Sequence, residues 1–460
     1  MNLLIFGSGK TYQENKIFIS KDDKIVGFLD NNLELFGKQM DGVLIYNPND
    51  ISKLSYDKII LMSIYAFEMH NQLLELGCKK EDIIHYKEYI GKQDSGEMKI
   101  LFPEKKQINL RERGLIITTV LGFNGGSIAA VNAAIALRNC GYEIVIAAPN
   151  SNSSFLQEVR KKEITVVLYN NLMFANEKEL NCLDEFKFII VNTLQMSCCA
   201  IEIAKKRKVI LWLHEASNFY EEMNYWEEKI KKEIASKQLK VYAVSSNAKN
   251  NFIKNYPGKK VDILPYGIPQ EYCVYKREKK KNFVFAVIGY VNEQKGQDVF
   301  LDAIEKIEHY QIYIEFWIIG KMPNNHYVEQ IRRRVKNKAY IKLFGEITHD
   351  EIIQLYNEID VLVVASREDM LPMVATEAMM FEKTCIVSDA AGTVNYIEEY
   401  VNGLLFSKEN SDELAEKMLW CIENKNRLEG IGIQARKTYE QNFSMKVFES
   451  NLERIIKEKT

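Results

Sequence analysis

The sequence predicts an α/β chain built on parallel sheets, and three observations carry that reading. Short apolar runs end in Gly-containing turns and lead into helical stretches, many times over. Several runs, such as Gly114–Leu121 and Phe283–Gly289, are apolar without alternation, as strands covered on both faces should be. The chain has 460 residues, 47% hydrophobic and 27% charged, which is enough to bury large cores and excludes wholesale disorder. At roughly 150 residues per domain the length corresponds to about three domains. The pattern divides accordingly, with two similar-sized Rossmann-like halves following a smaller one.

The first block covers residues 1–92. Its strand candidates are Leu3–Phe6, Ile25–Leu29, Ile59–Met62 and Ile83–His85, with a helix over Ala66–Leu76. Residues 93–113 are polar, lack a sustained period and read as a linker. The second block, 114–275, opens with the strand Gly114–Leu121, the turn Gly122–Ser127 and a helix from Ser127 to about Cys140. Ile128, Val131, Ile135 and Leu137 fit its 3.6-residue period, and Gly141 is placed to cap it. Further strands are expected at 188–192, 209–213 and 241–245. The third block, 276–460, has strands at 283–289, 314–319, 340–344, 360–365 and 384–388, and helices from about Asp412 to Lys459. Ligands of such sheets bind beyond the carboxyl ends of the strands, here expected between the two larger halves.

Composition excludes several functions. With 61 basic and 63 acidic residues the net charge is -2, which argues against a nucleic-acid binder. The eight cysteines form no C-x-x-C pair, and the six histidines show no zinc spacing, so reduced thiols and no metal are expected. No apolar run approaches a membrane span, and the start reads as a strand and turn, so a cytoplasmic protein is expected. The basic runs 205–208, 279–281 and 332–334 read as solvated faces. One of them resting on the anionic inner face of a membrane is the sharper alternative.

The stretch 365–383, ASREDMLPMVATEAMMFEK, carries the most chemistry. A strand ends at Ala365, a polar loop follows, and a helix begins near Pro372, a residue suited to the first turn. The N–H groups of Leu371, Met373 and Val374 then form an anion site at the positive end of the helix. Asp369 precedes that helix. Glu377 lies too far inside it to be a cap, and a carboxylate there can accept two hydroxyl hydrogen bonds from a ribose. Taken alone, both acids could equally be surface charges. The turn 289–298 adds Lys295 between Gly289 and Gly296, suited to a diphosphate, although a single lysine is more often solvated. Gly125-Gly126-Ser127 opens a helix after a strand. His214-Glu215 ends another strand, and Ser245 and Tyr266-Gly267 follow later ones.

The order and spacing of Gly125-Gly126-Ser127, His214-Glu215, Pro265-Tyr266-Gly267, Gly289, Lys295–Asp298, Gly320, Gly345, Ser366–Ala378 and Ala391-Gly392-Thr393 resemble a family-4 retaining glycosyltransferase of the GT-B fold over residues 114–460. The resemblance implies two facing Rossmann-like domains, preceded here by a small additional Rossmann-like domain. It implies that Asp369 holds the donor sugar, Glu377 the ribose, Met373 and Val374 the β-phosphate, and Lys295 the diphosphate. Gly126 would approach the diphosphate, His214 the sugar, and the strand end at Gly289 and the backbone at Gly345 would complete the donor site. His214, Asp369 and Lys295 are the residues expected to act in catalysis. The implied partners are a nucleotide-sugar donor, used as substrate with no cofactor or metal, and a glycan, lipid-linked or protein acceptor of a bacterial envelope polysaccharide. Three departures stand out: Asp369 is one methylene short of the usual Glu, Pro372 replaces a common Gly, and Tyr290 stands where many members place an Arg.

In the first block Phe6–Lys10 follows a strand, and Asp30 lies 21 positions after Gly9, the spacing of an acid that meets a ribose. Tyr12 occupies the third glycine position. A second nucleotide site at Gly7, Gly9 and Asp30 and a degenerate scaffold or oligomerisation module are both open readings, and the block resembles small Rossmann-like domains fused to bacterial polysaccharide enzymes. Trp212 reads as core, while Tyr225 and Trp226 are candidates for an acceptor groove. Two rival functions stand against the transferase. One is a non-catalytic GT-B-shaped subunit. The other is an NAD-linked oxidoreductase based on the first block, which lacks a Tyr-x-x-x-Lys pair there.

Overall fold

The computed structural model describes residues 1–458 apart from 64, 94–97, 104–111, 176–178, 181–182, 184, 224–229, 232, 235–237, 271–281 and 308–312. Tyr225, Trp226 and the basic run 279–281 therefore lie outside the described residues, as do Cys182, Cys273 and His309.

Three sheets organise the chain. The first has six strands in the order Gln39–Met40, Val43–Tyr46, Lys24–Leu29, Asn2–Phe6, Lys58–Leu61, Ile83–His85, all pairs parallel except the first. The second has eight, in the order Val261–Ile263, Leu239–Ala243, Val209–Leu213, Phe188–Asn192, Arg113–Thr118, Glu143–Ala148, Thr165–Leu168, Lys99–Leu101. The third has six parallel strands in the order Ile341–Gly345, Ile314–Ile319, Phe283–Ile288, Val361–Val364, Thr384–Ser388, Leu404–Phe406. The central strands are fully buried because their apolar residues face helices on both sides. Phe285, Phe300 and Phe316 fill the core of the third sheet. No helix among the described residues is long and apolar enough to cross a membrane.

The reading of 93–113 as a linker is corrected in part. Lys99–Leu101 is an edge strand, antiparallel to Thr165–Leu168 with Leu101 opposite Val166. Three residues are too few to show a period, and a half-exposed edge strand needs no apolar face. The helix expected from Ser127 begins two residues earlier, over Gly125–Asn139.

The chain divides into two compact units, 1–127 with 143–211 and 217–240, and 128–142 with 212–216 and 241–460. Within the second, the helix Met445–Lys457 buries Phe448 against Trp212, with ring centroids 5.6 Å apart, and beneath Gly267, where a Cβ would lie 2.7 Å from Phe448 Cβ. Trp212 is fully buried and donates to the Leu264 carbonyl at 2.8 Å, so it is core. None of the described cysteines is disulfide-bonded, and burial pushes the thiols of Cys199, Cys385 and Cys421 up to about 12.

Two glycines separate strain from crowding. Gly296 has φ +68°, and a Cβ there would lie 2.1 Å from the Ala365 carbonyl oxygen. Gly141 has φ +92° with open space around it. Gly141→Ala should cost about 1 kcal/mol, the left-handed penalty alone. Gly296→Ala should cost about twice that or more, because backbone must also move. Urea unfolding of both variants checks the order, and equal midpoints would contradict it.

Candidate active site

The second unit assembles a polar site at the carboxyl edge of the third sheet. The strand Val361–Val364 ends at Ala365, and the segment that follows is pinned from two sides. On one side Arg367 reaches the turn after Phe283–Ile288. Its guanidinium donates to Asp298 Oδ1 at 2.9 Å and Oδ2 at 2.8 Å, to the Glu293 carbonyl at 2.6 Å and to Glu409 at 2.5 Å. The backbones join as well, with the Arg367 N–H on the Gln294 carbonyl at 2.8 Å. Burial alone would raise Asp298, but the bonds from Arg367 and Tyr327 hold it below the usual carboxylate range. On the other side Gly392 donates to the Asp369 carbonyl at 2.7 Å, and a Cβ on Gly392 would lie 1.6 Å from the Met370 carbonyl oxygen. Only glycine allows that approach.

This clamp places two of the expected catalytic residues together. Lys295 Nζ lies 2.5 Å from Asp369 Oδ2, and both side chains are largely shielded, at 29% and 13% exposed. The Lys295 stem runs over Gly289, its Cδ and Cε 3.8 Å from where a Cβ would stand. Gly289 (φ +148°), Gly320 (φ +143°) and Gly345 (φ +73°) end three neighbouring strands. A Cβ on Gly320 would strike the Gly289 carbonyl at 2.0 Å, and the Gly320 N–H donates to the Gly345 carbonyl at 2.8 Å. Tyr290, next in sequence, is 46% exposed.

The helix Met373–Met380 starts at Pro372, which lacks an N–H, and no side chain caps it. The Ala375 and Thr376 N–H groups turn back to the Pro372 carbonyl, and those of Met373 and Val374 meet no acceptor among the described residues. Two aligned donors therefore face out from the positive end of the helix, four residues after Asp369 in sequence. Glu377 lies one turn further in. The hydroxyl of Tyr356, a fully buried residue, lies 3.0 Å from both Glu377 Oε2 and the Val374 carbonyl, and its one proton serves both. Burial, then the Glu377 charge, raise the Tyr356 hydroxyl well above its ordinary value, so it stays a donor. Tyr356 sits on the helix His349–Glu358, started by a capping box between Thr348 and Glu351.

His214 follows the strand Val209–Leu213. Its ring meets Trp212 edge-to-face at 4.5 Å, its backbone N–H donates to Glu215 Oε2 at 2.9 Å, and its buried Nε2 has no partner among the described residues. Burial pushes its pKa down to about 3, so the imidazole is neutral. Tyr266, also fully shielded, donates to the Leu371 carbonyl and so ties the loop after Val261–Ile263 to the residue before Pro372. Ser245 is used structurally, its Oγ accepting from the Ala248 N–H at 3.3 Å.

Gly126 belongs to the first unit. Its carbonyl accepts from Asn192 Nδ2 at 2.9 Å, and a Cβ there would meet only ordinary contacts, the nearest at 3.5 Å. The protein packing therefore does not demand glycine at this position. In the amino-terminal domain Gly7 has φ +103°, and a Cβ would lie 2.7 Å from the Met62 carbonyl, so its glycine is a packing requirement. Asp30 accepts from Ser8 N–H at 3.0 Å, Ser8 Oγ at 2.5 Å and Asn32 N–H at 3.0 Å. Gly9 precedes a helix of six residues, Lys10–Asn15. Among the described residues no three His, Cys, Asp or Glu side chains converge as a metal site.

Sequence reasoning missed Arg367 and Tyr356. Arg367 stands inside the motif that was singled out, but its partner lies 69 positions away and no spacing signals it. Tyr356 lies on an ordinary amphipathic helix.

Residues 274–438 match the family model of glycosyl transferases group 1, residues 111–267 that of glycosyl-transferase family 4, and residues 1–84 that of the C2185-like amino-terminal domain. An uncharacterized glycosyltransferase of Methanocaldococcus jannaschii is 29% identical over 205 residues, 45% of this chain and 55% of that protein. The capsular polysaccharide biosynthesis glycosyltransferase CapM of Staphylococcus aureus is 22% identical over 183 residues, 39% of this chain and 47% of that one. The chain thus spans about half the length of the curated relatives it matches. Anabaena HepE in complex with UDP and glucose superposes with TM-score 0.62 at 18% identity, covering 75% of this chain and all of HepE. Sucrose-phosphate synthase from Thermosynechococcus elongatus gives 0.60 at 12% identity, over 76% and 99%. The fold is GT-B, preceded by a small additional domain.

The neutral His214 has a measurable consequence. Its folded pKa lies below the ordinary 6.5, so the unfolded chain takes up a proton that the native protein refuses. Stability should therefore fall as pH drops from about 6.5 toward 3, and His214→Gln should make that fall shallower. Urea unfolding of both proteins at pH 7 and pH 5 checks this, and parallel pH profiles would contradict it.

Proposed function

With a family 4 domain followed by a group 1 domain in one GT-B chain, we propose a retaining glycosyltransferase that moves a sugar from a nucleotide-sugar donor to a glycan, lipid-linked or protein acceptor. The observation that carries this reading is the meeting of Lys295 with Asp369, a residue four positions ahead of the open amides of Met373 and Val374. A leaving nucleoside diphosphate gathers negative charge on its β-phosphate. Lys295 can turn from Asp369 to that phosphate, and the two N–H dipoles are already aimed outward, so little reorganisation is needed. Asp369, released from Lys295, accepts hydroxyls of the donor sugar. Glu377 accepts the ribose diol in an orientation fixed by Tyr356. His214 offers its unpartnered Nε2 to the sugar.

The chemistry needs no metal where an ammonium and a helix end neutralise the phosphate. Retention follows if the acceptor attacks from the side of the departing phosphate, which then takes the acceptor proton. No second carboxylate is assigned as nucleophile. Gly126 is read as the point where backbone comes close to the donor, because the fold itself does not require glycine there. The likeness to CapM supports a role in envelope polysaccharide synthesis, and work at the inner face of a membrane belongs to the same proposal. The Gly7–Gly9–Asp30 motif of the first domain is read as structural rather than as a second nucleotide site, since Asp30 spends its oxygens on Ser8 and Asn32.

Lys295→Ala and Glu377→Ala should each lower transfer about 100-fold or more, in the range found when a charge-stabilising group is lost. Both variants should keep the wild-type melting profile. Tyr356→Phe should raise the donor KM with a smaller effect on kcat. A mass-spectrometric screen of nucleotide sugars, with product anomers read by NMR, checks all three. Wild-type turnover by either alanine variant would refute the roles, and failure of the wild type to bind any nucleotide sugar would leave a non-catalytic GT-B subunit.

A further inference from the structure

A cavity of about 300 Å³ lies inside the first unit, among residues that the donor chemistry does not use. One wall is the carboxyl edge of four adjacent strands of the second sheet. Thr119 follows Arg113–Thr118, Asn150 follows Glu143–Ala148, Asn170 follows Thr165–Leu168, and Gln195 follows Phe188–Asn192. The opposite wall comes from the amino-terminal domain. Tyr86 and Lys87 follow its strand Ile83–His85, and Asn15 and Phe18 flank the end of its first helix. Two sheets thus turn their ligand-binding edges toward one space.

The second wall is built firmly. His85 is buried, stacks on Tyr86 at 4.8 Å and accepts the Lys87 N–H on Nδ1 at 3.2 Å. The Lys87 ammonium lies 6.0 Å from the Tyr86 ring centroid. The helix Tyr86–Gln93 comes so close to the loop after Thr165–Leu168 that a Cβ on Gly91 would lie 2.6 Å from Asn171 Oδ1. The lining is therefore preorganised rather than a gap between loosely joined parts.

Its chemistry is specific. The side-chain amides of Asn150 and Gln195 can donate to and accept from hydroxyls, and Asn15, which spends one N–H on the Thr11 carbonyl at 2.8 Å, keeps its amide oxygen for the same use. Phe18 and Tyr86 offer aromatic surface for the C–H face of a ring. Lys87 is the sole charged residue of the lining among the described residues. The volume is at the small-ligand end of binding pockets, enough for a hexose-sized ring with a substituent. We propose that the amino-terminal domain completes a binding site for a sugar residue bearing an anionic group, a carboxylate or a phosphate, with Lys87 reading the charge. Its use as the acceptor site rests on the transferase reading above, whereas the binding itself does not.

The test uses the full chain and three free sugars, glucuronic acid, glucose 6-phosphate and glucose, titrated by saturation-transfer NMR without any donor. At least one acidic sugar should bind about tenfold more tightly than glucose, and comparison of the two acids tells carboxylate from phosphate. Lys87→Ala should erase the preference, and Asn150→Ala should weaken every sugar that binds. Glu377→Ala should leave the binding unchanged. Both pocket variants should melt like the wild type and keep its donor hydrolysis. No binding of any of the three sugars, or an unchanged preference in Lys87→Ala, would overturn the proposal. Sugar binding without any donor hydrolysis in the wild type would instead count against the transferase reading while upholding the pocket.

Discussion

Two parallel hydrogen bonds from the Arg367 guanidinium to the Asp298 carboxylate hold the turn 289–298 against the segment that leaves the third sheet at Ala365. Such a fork fixes direction as well as distance, which a lysine in the same place would not. Lys295 reaches Asp369 because its own turn is anchored this way. Gly296 contributes by letting the Ala365 carbonyl come closer than any side chain would permit. The pair is modest as a source of stability, since partly exposed ion pairs contribute about 0–1 kcal/mol. What it does is store an ammonium and a carboxylate in register, each ready for a different part of a charged ligand.

The helix beginning at Met373 works by the opposite device. No capping side chain closes it, and a proline removes one donor, so its positive end is left to face outward. In most helices that would be a small loss of stability. Here the cost is offset by a helix whose remaining residues are nearly all buried, and by Tyr356, which binds the Val374 carbonyl from behind. The same hydroxyl steadies Glu377, so one buried tyrosine supports both the amide end and the carboxylate of the site.

Much of this was legible in the sequence, and the reasons differ by element. Five of the six strands of the third sheet are apolar runs, three of them with a glycine at the end, and their positions emerged within a residue or two, whereas the short edge strand Leu404–Phe406 did not emerge. The segment 365–377 announced itself through a proline ahead of a helix and two acids with no packing role. Arg367 did not, because its meaning depends on Asp298, and contacts across 69 positions leave no local period. The edge strand Lys99–Leu101 was hidden by its length. The wall made by Tyr86 and Lys87 was hidden because pairing two sheet edges is a tertiary event, decided by how separately folded blocks meet.

The helix Met445–Lys457 has a consequence for how the chain is made. It packs Phe448 against Trp212 and Gly267, within a unit that also includes residues 128–142. Strands are translated hundreds of residues before the helix that covers them. Until residues 445–457 emerge from the ribosome, Trp212 lacks a layer of its packing and the apolar surface around it stays wet. The nascent polypeptide carries that exposed patch through about half of its synthesis, a period in which native contacts do not yet cover it and wet apolar surface favours aggregation.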